Sequence, residues 1–139
     1  MDAGSPATPP LTGARAFSPG QVADLQRTVE RAREISGLCF GLRIGPLPQG
    51  RESAIAAHAL LPDAARAVLV AVDPAERQME IVTGSLVAVH LDDRSCELAL
   101  LSMRSGFVAG DLVRGMKDGL DLLAQHARYP RVANLDEPA

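Results

Sequence analysis

Apolar residues in this chain follow two rhythms that exchange places along its length. Val22, Leu25, Val29, Ala32 and Ile35 keep the three-to-four spacing of a helix buried on one side. The entry to that helix is spelled out by Ser18 as N-cap, Pro19 at the first position and Gln21 as capping-box partner. Phe17 and Val22 stand at hydrophobic-staple positions, and Gly37 is placed to end the helix in a left-handed turn. The rhythm then shortens to two. Leu38, Phe40, Leu42 and Ile44 alternate with Cys39, Gly41 and Arg43, which predicts a strand. Gly45-Pro46-Leu47-Pro48-Gln49-Gly50 interrupts it, and a short helix over about 51–61 follows, with Ala54, Ile55, His58 and Leu61 on one face.

Ala67-Val68-Leu69-Val70-Ala71-Val72 is apolar at every position, the mark of a central strand covered on both faces. Asp73-Pro74-Ala75-Glu76 predicts a turn, and residues 77–83 return antiparallel, with Met79 and Ile81 inward and Gln78 and Glu80 outward. Leu86 to Val89 reads as a helical turn rather than a fourth strand. Asp92 or Asp93 caps the next helix, which carries Cys96, Ala99, Leu100, Met103 and Phe107, with Leu98 and Leu101 off that stripe and expected to widen its buried face. Gly110-Asp111 restarts a final helix with Leu112, Val113, Met116, Leu120, Leu123, Ala124 and Ala127 on one side. Gly115 and Gly119 thin its flank for a close neighbour. The order is α-β-α-β-β-α-α. A crossover makes the first two strands parallel and a hairpin adds the third, so the expected fold is α/β with a small mixed sheet covered by helices.

The 139 residues suit one domain over 17–129. Residues 1–16, rich in Pro, Ala, Gly, Ser and Thr, are expected to form a disordered tail, and 130–139 a flexible one. With 47% hydrophobic residues but only 3% aromatic, the core must come from Leu, Val, Ile, Ala and Met. A net charge of −3, with arginines scattered and Lys117 the only lysine, speaks against a nucleic-acid partner. No apolar run is long enough to cross a bilayer and no signal peptide opens the chain, so the expected location is the cytoplasm. Cys39 and Cys96 are read as buried thiols without zinc spacing.

The order of elements and several residues resemble the TPM domain family over about 17–127. The resemblance is carried by the Phe17-Ser18 helix entry and by the Ala67–Val72 strand with Asp73-Pro74 and Arg77 after it. Further along it rests on Ile81-Val82-Thr83-Gly84, Leu91-Asp92-Asp93, and Phe107 followed by Gly110-Asp111 and Gly115. The nearest likeness is to a short, actinobacterial-looking TPM-like group of unknown function. The family implies roles in membrane-protein maintenance, calcium binding and acid phosphatase activity. This chain departs from it in lacking an export signal and membrane segment, and the acidic residue expected after the glycine turn is absent from Gly84-Ser85-Leu86-Val87.

Topology alone gathers Asp63, Thr83, Gly84, Ser85, Asp92 and Asp93 at one edge of the hairpin. Asp63, Asp92 and Asp93 are therefore the candidate ligands for a hard cation such as calcium, against the simpler reading of turn residues and helix caps. His58 is expected to be a hydrogen-bonded packing residue, His126 to complement a helix end, and His90 to lie near Asp92. No P-loop, dinucleotide fingerprint or nucleophile elbow is present, and no catalytic residue or certain cofactor is assigned. Two functions follow: a non-catalytic accessory domain with a protein partner, or a calcium-dependent phosphatase using the acidic edge.

Overall fold

A computed structural model describes residues 17–136, with side chains as far as 127. The expected tail at 1–16 lies outside the described residues. Helix α1 (Pro19–Ser36) begins as its sequence dictates: the Ser18 hydroxyl accepts the Gln21 N–H at 3.2 Å while the Gln21 side chain takes the Ser18 N–H at 2.9 Å. Gly37, at φ 75°, closes the helix in the left-handed region and donates its N–H to Arg33. Strand β1 (Cys39–Ile44) follows, then α2 (Arg51–Ala59), a 3-10 turn (Ala64–Arg66) and β2 (Ala67–Asp73). Strand β3 (Gln78–Thr83), α3 (Asp93–Ala109) and α4 (Leu112–Asp136) complete the order α-β-α-β-β-α-α.

The sheet order is β1-β2-β3. β1 runs parallel to β2 with Cys39 opposite Ala67, and β3 returns antiparallel with Asp73 opposite Gln78. Every residue of β2 is buried, as a central strand covered on both faces requires. On one face Phe40, Leu42, Val68, Val70, Met79 and Ile81 meet the inner sides of α1, α3 and α4. On the other, Leu69, Ala71 and Val82 meet Leu47, Ala54, Ala57 and Leu61 around α2. Met79 and Ile81 thus point to the main core, while Gln78 and Glu80 are half-buried on the α2 face rather than facing open solvent.

Two expectations change. α3 is not widely buried: Leu101 is 56% exposed and Leu98 is also exposed, because the helix packs chiefly on α4 and buries only Ser95, Ala99, Met103 and Gly106. α4 continues to Asp136, into the stretch expected as a flexible tail. The segment after β3 is a turn, closed by the Val87 N–H on Gly84 and the His90 N–H on Val87.

α4 is moored from both sides. Lys117 pairs with Asp24 at 2.8 Å and Arg31 with Asp121 at 3.0 Å, tying it to α1. Against α3 the approach is backbone to backbone, since a Cβ on Gly106 would lie 2.9 Å from the Gly115 Cα.

Candidate functional site

The hairpin brings the end of β3 to the start of β2, as its topology requires. The Gly84 N–H bonds the Ala67 carbonyl, so the end of β3 and the start of β2 lie side by side. Gly84 sits so tightly against the 3-10 turn that a Cβ there would collide with the carbonyl oxygens of Ala64 and Ala65. The Leu86 N–H then bonds Ala65, stitching the turn after β3 to the turn before β2.

The aspartates on this edge are used by the fold. Asp63 adopts a left-handed conformation (φ 54°) before the 3-10 turn, and its carboxylate lies 3.7 Å from the Arg66 guanidinium. Asp92 is the N-cap of α3 and accepts the Ser95 N–H at 2.9 Å. Asp93 occupies the first turn of that helix, where a negative charge complements the helix dipole. Among the described residues no group of three or more His, Cys, Asp and Glu side chains is placed to share one ion. Thr83 is half-buried and Ser85 exposed beside them.

The histidines divide. His58 is buried and its Nε2 donates to the Ala67 carbonyl at 3.0 Å, the packing role its apolar surroundings imply. His126 is not near a helix end, because α4 runs ten residues further; its Nδ1 lies 2.7 Å from the Ser95 hydroxyl. His90 precedes Asp92, and its Nδ1 is buried with no hydrogen-bond partner among the described residues.

Sequence reasoning missed the Ser95–His126 pair. The signal was available in the helical hairpin: Ser95 lies fifteen residues before Gly110 and His126 fifteen after Asp111, so folding the chain at that turn superimposes them. A serine hydroxyl within reach of an imidazole is half of a nucleophilic site. Its surroundings oppose that chemistry. The Asp92 carboxyl is held below its ordinary range first by the Ser95 backbone N–H and then by the Ser95 hydroxyl, so a carboxylate lies against the oxygen that would attack. Ser95 is also buried. Asp92, Ser95 and His126 therefore form a polar clasp joining the start of α3 to α4. Cys96 beside it is half-buried, and burial raises its thiol above the ordinary range, with Asp93 and Asp92 adding to the effect; the protonated thiol is the unreactive form.

A second polar cluster stands at the opposite end of the sheet. The buried Asp73 carboxylate accepts the Leu47 N–H at 3.0 Å and the Glu76 N–H at 3.2 Å, closing the loop after β1 onto the β2–β3 hairpin. Arg77, left-handed at φ 55°, reaches from that hairpin to lay its guanidinium 5.6 Å from the centre of the Phe107 ring. On the α2 face Arg51 bonds Glu80 at 3.0 Å and the Ile81 carbonyl at 3.3 Å, satisfying an outward-facing group of the β3 edge.

A three-stranded mixed sheet with one helix on one face and three on the other defines a small α/β domain whose polar groups chiefly serve its own architecture. The chain belongs to the family described as Domain of unknown function (DUF5130), whose model matches residues 8–124. Among curated proteins no sequence matches it. Its fold is similar to the solution structure of the N-terminal domain of the cg2496 protein from Corynebacterium glutamicum, at a TM-score of 0.63 and 12% identity over 84% of this chain and 78% of that one. It is equally similar to the N-terminal domain of a protein from P. gingivalis, with a TM-score of 0.63 and 15% identity over 91% of this chain and 92% of that one. At those identities the likeness concerns the fold alone.

Proposed function

We propose that this chain is a non-catalytic accessory domain of the TPM type, acting in the cytoplasm by binding another protein. The observation that carries the reading is the apolar surface of α2: Leu60, just past its end, is 85% exposed, and Ile55 is exposed on the helix itself. A partner covering Leu60 and Ile55 would remove that apolar surface from water. The polar residues nominated for chemistry support the same reading, since Asp63, Asp92, His58 and His126 are each engaged in bonds that hold the fold. No helix of the described residues is long and apolar enough to cross a membrane.

Capture from cell lysate on the immobilised full chain tests this. The expected result is a specific protein retained by the native chain and lost with Leu60→Glu, a variant whose circular dichroism remains native. Retention of nothing specific overturns it. So does calcium-dependent turnover of a phosphomonoester that disappears with Asp92→Ala, which would put the hydrolase in its place.

A further inference from the structure

Five of the seven large hydrophobic side chains that stand exposed among the described residues lie on α3 or the turn before it: Leu86, Val89, Leu98, Leu101 and Val108. Three lie on α3, opposite its buried residues, and two on the turn that leads into it. Val108 is 86% exposed and Val89 72%. Leu98 and Leu101, then Ser105 and Val108, repeat every seven residues, the spacing of a seam between two helices. Flanking that seam on one side are Glu97 and Arg104. Neither has an ion-pair or hydrogen-bond partner among the described residues. Seven residues apart, they are separated by about 10.5 Å along the helix and do not reach one another within it.

We propose that this face binds a second copy of the same chain, with the two α3 helices antiparallel about a two-fold axis. The charges select that occupant. When Leu98 of one copy faces Leu101 of the other, Glu97 falls within two residues, about 3 Å of axial offset, of Arg104 on the second copy. The two-fold axis repeats the contact, so both unpaired charges on each copy find a partner. The same register sets Arg94 beside Ser105 and brings Val108 level with Leu91. There the second copy carries its exposed Leu86 and Val89 in the adjoining turn. A parallel pairing would instead set Glu97 beside Ser102 and Arg104 beside Ala109 of the second copy, leaving both charges without a partner. The antiparallel register covers the apolar seam and neutralises its rim together.

This surface is separate from the α2 surface invoked above. A monomer that captures a partner would sink only the dimer, and a dimer that captures nothing would sink only the partner reading. The test is sedimentation equilibrium of the full chain between roughly 1 µM and 1 mM, the range in which small interfaces associate. A monomer–dimer equilibrium is expected. Leu101→Glu should abolish it while leaving the circular dichroism native, since that side chain is exposed. Glu97→Arg and Arg104→Glu should each weaken association by about tenfold or more. An equimolar mixture of those two variants should dimerise again, because every cross-copy contact then joins opposite charges. A chain that stays monomeric throughout, a dimer indifferent to Leu101→Glu, or a mixture that fails to recover would overturn the proposal.

Discussion

Gly106 of α3 and Gly115 of α4 meet backbone to backbone: a Cβ built on either would lie 2.9 Å from the other's Cα. The pair stands four residues on each side of the Gly110-Asp111 turn, so it sets how closely the helical hairpin closes at its tip. Alanine would ordinarily favour a helix over glycine by up to about 1 kcal/mol. Here the contact is with backbone, which cannot rotate away, and overpacking of that kind costs about 1–3 kcal/mol. Gly106→Ala and Gly115→Ala should therefore both destabilise the domain by about that amount in urea unfolding. Stabilisation of either variant would show that the hairpin opens at no cost.

The clasp at the far end of the same hairpin gives a second test. Ser95→Ala and His126→Ala should each lower stability, and the double variant should lose less than the sum, with a coupling of about 0.5–1.5 kcal/mol for one hydrogen bond. Additive effects in the double-mutant cycle would mean that the 2.7 Å contact contributes nothing to stability.

His58 supplies the sheet with a hydrogen bond from outside it. Replacing it with alanine leaves the Ala67 carbonyl without that donor and empties a buried site under α2. The loss expected for His58→Ala is about 2–4 kcal/mol, from the cavity and the lost hydrogen bond, while the Ala67 carbonyl keeps the Gly84 N–H. His58→Gln, which keeps a donor, should retain part of that difference in the same denaturant titration.

Asp92 makes the fold sensitive to acid in a defined direction. Its carboxyl is held below the ordinary range by the Ser95 N–H, so its contribution is fully present above the unfolded value of about 3.9 and is lost as pH falls through the lower folded value. Asp92→Asn keeps a capping oxygen without titrating there. Melting temperatures of the native chain should exceed those of the variant near neutrality, and the gap should close in acid. A gap independent of pH would remove the carboxylate from the account.

Thermal melts with calcium, with magnesium and with a chelator should superimpose, since Asp63, Asp92 and Asp93 hold no common position for an ion among the described residues. A rise specific to calcium, several degrees at about a hundred times the dissociation constant, would restore those three residues as ligands.

Local chemistry was legible in the sequence wherever a few neighbouring residues decide the outcome. Ser18, Pro19 and Gln21 define the start of α1 because a capping box is closed within one turn. Gly37 and Gly110 end α1 and α3 because glycine enters the left-handed region without a Cβ penalty. The unbroken apolar run Ala67–Val72 is the central strand because only a strand covered on both faces has no polar side. The sheet topology followed from the same run, flanked by a crossover on one side and a tight turn on the other.

Tertiary structure decided what depended on residues far apart in the chain. Leu98 and Leu101 share the composition of core residues, and only the direction in which α3 packs on α4 leaves them in solvent. Asp92 caps α3 and Asp63 lies near Arg66, roles fixed by a nearby backbone N–H and a guanidinium once the turns are in place. Ser95 and His126 came together because the chain doubles back at Gly110-Asp111, and their equal distances from that turn bring them opposite only once α3 packs on α4. The amino-acid sequence by itself determined the elements and their order, through short-range sterics, capping and periodicity. Which faces met, and which polar groups were left for anything else, was settled by packing across the whole domain.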